Sequence, residues 1–222
     1  RRDARFVNTC MMATLLGAAV SDALEDGRVV CGVGGQYNFV EMAHALPDGH
    51  SILTLRATHA GPSGKPESSI VWNYGHVTIP RHLRDIYVTE YGVAYVRGKT
   101  DDEIAHAMLC IADSRFQAGL LKQAQAAGKV KADYEIPAAA RGNFPERVSA
   151  RLGEFKSEGY FPAFPFGCDF TPIELRIGKA LKNLKREVGT RAGMVRAILG
   201  ALRHGTPDAS CKEALERMHL LE

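Results

Sequence analysis

The chain has 222 residues, of which 45% are hydrophobic and 24% are charged, and these proportions argue against a disordered protein. Its 28 basic and 25 acidic residues give a net charge of +3 without a long block of one sign, which gives little support for a nucleic-acid partner. No apolar run reaches the roughly 18 residues that a membrane helix needs.

The first part of the chain has the order of a strand, a glycine loop and a helix. After an apolar stretch over Phe6 to Leu16, a short β-prone run over Arg28 to Cys31 leads into the glycines at positions 32 to 35. Apolar residues at helical spacing then predict a helix over Asn38 to Leu46.

Short β-like runs dominate the next segment. A polar, hairpin-like stretch over residues 61 to 66 separates two predicted buried strands, Ile52 to Leu55 and Ser69 to Trp72. Further short strands are predicted over Val77 to Ile79, Ile86 to Thr89 and Val93 to Val96.

Two helices are predicted after these strands. Thr100 and Glu103 form a T-x-x-E capping box before a helix that runs through Ile111. Ser114 and Gln117 have the same spacing before a helix that ends near Gly128.

The remainder has a different composition. Residues 137 to 166 are rich in proline, glycine and aromatic residues, with Pro145, Pro162 and Pro165 interrupting any long helix, so we interpret this segment as a connecting arm. A second capping box, Thr171 to Glu174, begins a helix that continues to about Lys185. Two more helices are predicted over Arg191 to Leu202 and Ser210 to Leu221. We therefore predict an α/β domain over residues 1–140 and a mainly helical extension over residues 141–222.

The glycine loop, Gly32 to Gly35, is the first candidate site. Closely spaced glycines allow backbone N–H groups to converge on an anion, although such a loop is equally typical of a tight packing turn. Its G-x-G-G spacing differs from the G-x-G-x-x-G fingerprint and no Walker lysine follows, so NAD and ATP are disfavoured as ligands.

Two other clusters could carry chemistry. Glu90 lies among aromatic and basic residues as a possible base, nucleophile or hydrogen-bond anchor, although a lone glutamate at a strand end is usually structural. His76 lies close to the segment Arg81 to Arg84, but no third ligand follows at a metal-site spacing, and we predict no metal. The five cysteines form no ligand or disulfide pattern, which favours a cytoplasmic protein (Cys10, Cys31, Cys110, Cys168 and Cys211).

Several blocks of sequence resemble the acetyl-CoA hydrolase/transferase family, which includes acetate, succinate and 4-hydroxybutyrate CoA-transferases. The resemblance covers about residues 5 to 125, and its blocks follow one another in the family's order. They are GVGGQYNF at Gly32–Phe39, VTEYGVA at Val88–Ala94, RGK at Arg97–Lys99 and ADSRF at Ala112–Phe116, where relatives tend to have proline in place of serine.

The resemblance implies a fold and a reaction. Such enzymes have two α/β halves with CoA-transferase-like (NagB/RpiA-like) sheets covered by helices, and the active site lies between the halves. A glutamate attacks an acyl-CoA thioester, and CoA is then carried as a glutamyl thioester until a small carboxylic acid accepts it. Coenzyme A is a substrate and product here, and no metal or redox cofactor is needed.

The resemblance also assigns roles to residues. The Gly35 amide is expected to point at the thioester oxygen as an oxyanion donor, and Met11, in the segment Asn8 to Met11, is expected to line the CoA channel. Cys31, with Gly32 and Gly34, is expected to lie near CoA, and Lys65 to meet a CoA phosphate.

The nucleophilic glutamate of relatives lies further before the glycine loop than the 31 residues that precede Gly32 here. Glu25 is no plausible match, because it sits in an acidic turn. We therefore expect the nucleophile outside this chain, in an N-terminal half of the same enzyme, and we expect the chain, which begins at Arg1 and not at Met, to be a fragment that is inactive alone and belongs to a homodimer.

Two alternatives stay open at this point. The chain could be a self-contained acyl-CoA hydrolase that uses Glu90 or a water activated by His76. It could also be a non-catalytic module for CoA binding or dimerisation.

Overall fold

The computed structural model describes residues 2–203 and 209–220, which form two compact units. The first unit covers residues 1–158 and the second covers residues 159–222. The division between them lies inside the segment 137–166 that the composition identifies as a connecting arm. The sequence predicts a domain boundary after residue 140. Compact units are not necessarily domains that fold independently, so that boundary stays a prediction.

The first unit is mixed α/β, as predicted. Its helices are α1 (Gln36–Ala45), α2 (Asp101–Ile111), α3 (Ser114–Ala126) and α4 (Pro145–Ser157), with short 3₁₀ turns at Arg81–Leu83 and Ala138–Ala140. Its strands are β1 (Arg5–Thr9), β2 (Met12–Thr14), β3 (Ala19–Val20), β4 (His50–Thr54), β5 (Thr58–Ala60), β6 (Pro66–Ser68), β7 (Ile70–Val71), β8 (Ile86–Thr89) and β9 (Gly92–Tyr95).

The largest sheet has the strand order β1-β4-β8-β9. The first three strands are parallel, with Thr9 opposite Thr54 and Thr54 opposite Val88, whereas β9 pairs with β8 in the antiparallel sense. The carboxyl ends of β1, β4 and β8 consequently meet at one edge, which we call the carboxyl edge. Their amino ends meet at the opposite edge, the amino edge.

One face of this sheet forms the core with α1 and α2. Alternate strand residues point to this face, since side chains alternate along a strand, and Leu53, Tyr87 and Ala94 are buried there. Val40 of α1 and Met108 of α2 are buried in the same core. The remaining strands form two smaller sheets, a three-stranded sheet with the order β3-β2-β7 and the two-stranded hairpin β5-β6.

Periodicity and capping predicted the long elements well. The helix expected over Asn38–Leu46 is α1, and the strand expected over Ile86–Thr89 has the same bounds in the structure. The Thr100 capping box is present, with the Thr100 hydroxyl accepting from the Glu103 N–H and the Glu103 carboxylate accepting from the Thr100 N–H. These elements were predictable because their signals are local.

Two of the predicted strands are wrong. In the segment Arg28–Cys31 only Val29 makes a β-bridge, to Ala23, because a turn at Gly27 and the bond from the Arg28 N–H to the Asp26 carboxylate hold the chain in a tight reversal. In the segment 77–79 only Ile79 makes a bridge, to Ala19. The glycine loop therefore follows a turn and not a strand.

The helix α3 is capped by a different residue from the one predicted. Asp113 is its N-cap, and Ser114 is already the first helical residue. The Gln117 side chain, predicted to complete a capping box, is buried and donates to the carbonyls of Leu109, Ala112 and Ala140. An aspartate outcompetes the adjacent serine here because Arg115 supplies it with an ionic partner.

Asp113 is a buried carboxylate with four donors. It accepts from the Arg115 N–H at 3.0 Å, from the Arg115 guanidinium at 2.7 and 2.8 Å, and from the Tyr91 hydroxyl at 2.8 Å. Burial acts most strongly on the pKa of Asp113 and raises it, but the bonds from Arg115 and Tyr91 together bring the pKa below its ordinary value. Because the folded-state pKa is lowered, this contribution to stability is present at neutral pH and is lost as the pH falls through the pKa of the folded carboxyl.

We predict that Asp113→Ala lowers the free energy of unfolding by about 2–4 kcal/mol, since it removes a cap and leaves a partly buried guanidinium without its partner. Urea unfolding followed by circular dichroism measures this loss. The control is Asp133→Ala, at an exposed carboxylate, which should change stability by less than about 0.5 kcal/mol. Equal stabilities of the two variants would contradict the role assigned to Asp113.

The second unit is helical, with α5 (Pro172–Glu187), α6 (Arg191–Arg203) and α7 (Ala209–Arg217). The predicted capping box of α5 is confirmed, and the Thr171 N–H together with the Arg217 guanidinium lowers the pKa of Glu174 to about 2. The predicted last helix ends earlier than Leu221, a residue that lies outside the described range. One correction concerns Pro145, which was expected to interrupt a helix and instead begins α4, because proline suits the first helical position.

Candidate functional site

The carboxyl edge gathers the segments that follow three parallel strands. Cys10 and Met11 follow β1, Arg56 and Ala57 follow β4, and Glu90 follows β8. In open α/β sheets ligands bind in the crevice outside the carboxyl ends of the strands. This edge is therefore where the topology favours a site.

The glycine loop reaches the same edge because α1 precedes the parallel strand β4 and runs back along the sheet. Gln36, the first residue of α1, donates from Nε2 to the Thr9 carbonyl at the end of β1, with a distance of 3.2 Å. This bond fixes the beginning of the helix beside the carboxyl edge.

The N-terminus of α1 offers free backbone donors. Gly35 is the N-cap, and no side chain in residues 2–203 or 209–220 caps this helix. Gly34 has a φ of 59°, in the left-handed region, whereas Gly35 has a φ of −89°. The conformational need for glycine thus lies at Gly34, and Gly35 instead leaves an open approach to the first N–H groups of the helix.

A cleft of about 720 Å³ lies at this edge. It brings together the ends of β1 and β4, the turn before the glycine loop and the β5-β6 hairpin. Of the residues assigned from sequence, Met11 lines the cleft, whereas Cys31, Gly32, Gly34, Gly35 and Lys65 are not among its lining residues. The lining includes Thr9, Cys10, Met11, Leu24, Glu25, Arg56, His59, Glu67 and Tyr74.

Arg56 is the charged residue that the sequence interpretation missed. It is exposed in the cleft, directly after the buried Leu55 that follows β4, and no ion pair is found for it within the described part of the chain. His59 in the same cleft is held by Ser69 at 3.1 Å and lies 3.9 Å from Glu67. The sequence has no distinctive signal for Arg56, because its place at the carboxyl edge follows from the parallel pairing of β4 with β1 and β8.

Glu90 is held by the backbone of a neighbouring segment. Its Oε2 accepts from the Ala57 N–H at 2.9 Å, which ties the end of β8 to the segment that carries Arg56. The carboxylate therefore acts on the shape of the loop after β4.

Cys31 lies in the turn that leads into the glycine loop, and His76, in the segment after β7, contacts the same turn. The Cys31 thiol donates to the Ser21 carbonyl at 2.9 Å, and the Asp22 carbonyl accepts from the Cys31 N–H at 3.2 Å. The Asp22 carboxylate accepts from the Thr78 hydroxyl and lies 3.0 Å from the His76 Nε2. The Thr78 bond is the main cause that lowers the pKa of Asp22, and His76 adds to it. These contacts make His76 a support of the turn.

Lys65 lies on the β5-β6 hairpin with an exposed side chain, and its carbonyl accepts from the Gly61 N–H. Cys10 is a buried residue in the lining of the cleft, and burial raises the pKa of its thiol to about 12. A thiol with that pKa is protonated at neutral pH and is a poor nucleophile.

Two buried polar atoms without a partner lie near this edge, Asn8 Nδ2 and Gln36 Oε1. The other such atoms among the described residues are Ser21 Oγ and His106 Nε2. Buried polar groups are normally paired with protein, water or a ligand. Asn8 and Gln36 flank the meeting point of β1 and α1, so the carboxyl edge has polar capacity that the protein itself leaves unused.

The chain is similar in sequence to proteins of a known family. A family model described as the acetyl-CoA hydrolase/transferase C-terminal domain matches residues 1–124. The 4-hydroxybutyrate coenzyme A transferase of Clostridium kluyveri is 30% identical over 117 residues, which are 53% of this chain and 27% of that protein. The probable butyrate:acetyl-CoA coenzyme A-transferase of Syntrophomonas wolfei is 32% identical over 121 residues, which are 54% of this chain and 27% of that protein.

A solved structure has a similar fold. A mutant of RipA, a protein known from Yersinia pestis, superposes with a TM-score of 0.53 at 29% identity, covering 58% of this chain and 28% of that chain. The matched segment thus spans about a quarter of the length of these relatives. None of the described helices is long and apolar enough to cross a membrane.

Proposed function

Because the chain belongs to the acetyl-CoA hydrolase/transferase family, whose C-terminal domain matches residues 1–124, we propose that its first unit holds coenzyme A in a CoA-transferase. The relatives it matches are CoA-transferases. The observation that carries the proposal is the uncapped N-terminus of α1 at Gly35, set beside a cleft at the carboxyl edge. Free helix N–H groups and a nearby guanidinium suit a ligand with phosphates and a thioester.

The proposed reaction moves CoA through a glutamate that lies outside these 222 residues. A glutamate oxygen attacks the thioester carbon, the C–S bond breaks, and the CoA thiolate leaves behind an acyl-glutamyl anhydride. The thiolate then attacks the glutamyl carbonyl, the C–O bond of the anhydride breaks, and the original acyl group departs as a carboxylate. A second carboxylate reverses both steps and takes the CoA, whereas water as acceptor makes the reaction a hydrolysis.

Gly35 stabilises the charge that develops in these steps. Each attack converts a carbonyl oxygen into an oxyanion, and a backbone N–H at a helix N-terminus favours that charge without reorganising. A side chain on Gly35 would stand in the approach to this donor. The chemistry proceeds without a metal or redox cofactor, because every step exchanges one acyl bond for another.

The fold of the whole enzyme, its N-terminal half and its oligomeric state are also part of the proposal. We propose a NagB/RpiA-like arrangement in which an N-terminal half of the same enzyme supplies the glutamate across the carboxyl edge, within a cytoplasmic homodimer. The acceptor is a small carboxylic acid.

A self-contained hydrolase is less well supported. Glu90, its first candidate for a base, is bound to the Ala57 N–H, and His76, its second, is bound to Asp22 and is not among the residues that line the cleft. Neither residue is among those that line the cleft.

We predict that the chain binds CoA and that Arg56→Gln weakens this binding about tenfold or more, since a hydrogen bond to a charged group contributes about 1.5–3 kcal/mol. Isothermal titration of CoA into the chain measures the change. Arg151→Gln, which removes the same charge from the exposed surface of α4, is the matched control and should bind CoA as the parent does. A lack of saturable binding, or equal affinities of the two variants, would contradict the proposal.

A further inference from the structure

A second cleft lies at the amino edge of the sheet, on the opposite side from the candidate CoA site. It has a volume of about 590 Å³ and is formed by the end of α1, the 3₁₀ turn before β8 and the loop between β9 and α2. No carboxylate is among its lining residues. It is lined by the cationic or ionisable side chains of His44, Arg81, His82, Arg84, Arg97 and Lys99, together with Gly98.

Two of these guanidinium groups are fixed before any ligand arrives. Arg84 donates from Nη1 to the Leu16 carbonyl at 2.9 Å, and Arg97 donates from Nη1 to the Gly49 carbonyl at 2.7 Å. Their side chains are only 17% and 32% exposed. A guanidinium that is already oriented loses little further freedom when it binds an anion, and its remaining N–H groups suit the paired oxygens of a phosphate.

The neighbouring carboxylates only partly offset this charge. Asp101 lies 2.6 Å from Arg81, 3.6 Å from Arg84 and 2.8 Å from Lys129, so one negative charge is shared by three cations. Burial lowers the pKa of Arg84, and the neighbouring Arg81 lowers it further, against the opposing effect of Asp101. A cation whose pKa is lowered in this way gains from a nearby anion.

Positive charge also exceeds negative charge on the other side of the cleft. Asp85 lies 3.6 Å from Arg97 and is also engaged by His50 at 3.1 Å. No ion pair is found for Lys99 among the residues that the structure covers. Four permanently charged cations line the cleft (Arg81, Arg84, Arg97 and Lys99), against the carboxylates of Asp85, Asp101 and Glu103, the last of which interacts with Lys99, so the excess is positive.

We propose that this cleft binds a diphosphate group, either as a free anion or as part of a nucleoside diphosphate. A volume of about 590 Å³ exceeds what a single phosphate fills, and fixed guanidinium groups on both sides can each engage one phosphate. The site lies at the opposite edge from Gly35 and Arg56, so it is separate from the proposed CoA site and does not depend on it.

The test is isothermal titration of the full chain with inorganic pyrophosphate and, separately, with ADP at fixed ionic strength. The double variant Arg81→Gln/Lys99→Gln should bind pyrophosphate at least about tenfold more weakly than the parent, because each substitution removes a charged donor. Arg151→Gln/Lys156→Gln is the matched control, since it removes one arginine and one lysine from the exposed surface of α4, and it should leave the pyrophosphate affinity unchanged. Circular dichroism of each variant checks that the fold is retained.

The outcomes separate the ligand sources and the sites. Binding of both probes indicates recognition of the diphosphate alone, and preferential binding of ADP indicates a nucleotide site; both support the proposal when the double variant weakens them. The proposal is overturned if neither probe binds saturably, if the Arg81→Gln/Lys99→Gln variant binds as well as the parent, or if the α4 control variant loses pyrophosphate binding to the same extent. If the parent chain binds pyrophosphate but does not bind CoA, the proposed function is wrong and the diphosphate site is still supported.

Discussion

In an enzyme that joins these residues to the proposed N-terminal half, called the longer polypeptide below, Gly35→Val should lower kcat at least about tenfold while the protein stays folded, because loss of one oxyanion donor typically costs about 10² to 10³ in rate. The donor must bring its N–H within about 2.7–3.1 Å of the developing charge. Side-chain atoms on residue 35 would occupy the approach to that N–H.

The backbone conformation of Gly35 allows a side chain at this position. Gly35 has a φ of −89°, so a side chain there meets no left-handed backbone strain. An added β-carbon would lie 3.2 Å from Cε2 of Phe39, a tight contact that the exposed ring can relieve by a small movement. The folding cost should therefore be modest, and thermal unfolding of the variant measures it directly.

Phe39→Leu is the control for displacement of the ring. It disturbs the neighbour of Gly35 without adding atoms at the N–H, and we expect its kcat to stay near the parent value. If Gly35→Val also kept the parent kcat in a folded enzyme, the loop would serve only as a packing turn. The alternative interpretation of the glycine loop would then be correct.

The second large effect concerns the chain alone. We predict that residues 1–222 catalyse no CoA transfer from acetyl-CoA to succinate, whereas the longer polypeptide does so with ping-pong kinetics. The physical reason is the lack of a suitable nucleophile, since Glu90 is bound to the Ala57 N–H and Glu25 and Glu67 lie at the exposed entrance of the cleft. Release of free CoA and formation of succinyl-CoA are both measured.

Turnover by the isolated chain at an enzymatic rate would contradict this prediction and favour the self-contained hydrolase or transferase. The matched measurement uses the chain with Glu90→Gln. This variant keeps an oxygen acceptor for the Ala57 N–H, so it separates a chemical role of the carboxylate from its role in holding the loop.

Local signals predicted much of the fold. Capping boxes located the starts of α2 and α5, and helical spacing located α1, because these features depend on residues only a few positions apart. The interpretation failed where two local signals competed. Asp113 capped α3 in preference to Ser114 because Arg115 pairs with it, and Pro145 began α4 where its ring suits the first turn.

The site could be predicted only in part, because it depends on how distant segments meet. The glycine loop was recognisable as a candidate, but sequence could not show that the left-handed conformation belongs to Gly34 and not to Gly35. Arg56 was missed because a single arginine after a short strand has no distinctive pattern. The structure identifies Arg56 as a candidate ligand-binding residue, because the ends of β1, β4 and β8 meet at one edge.

The basic cleft illustrates the same dependence on topology. Arg81 and Lys99 are 18 positions apart in sequence, and His44 is further away still. The parallel pairing of β4 with β8 and the antiparallel return of β9 bring their segments to the amino edge. Neighbouring positive charges that look dispersed along the chain are thus combined in one cavity.

In the proposed reaction, CoA is carried on a glutamate outside this chain, while the first unit binds the CoA part of the acyl-CoA. The most direct test incubates the longer polypeptide with acyl-CoA, traps the glutamyl thioester with borohydride or hydroxylamine, and maps the modified residue by peptide mass spectrometry. We expect a single modified glutamate, in a peptide that precedes Arg1. A modification at Glu25, Glu67 or Glu90 would place the nucleophile within these residues and contradict this expectation.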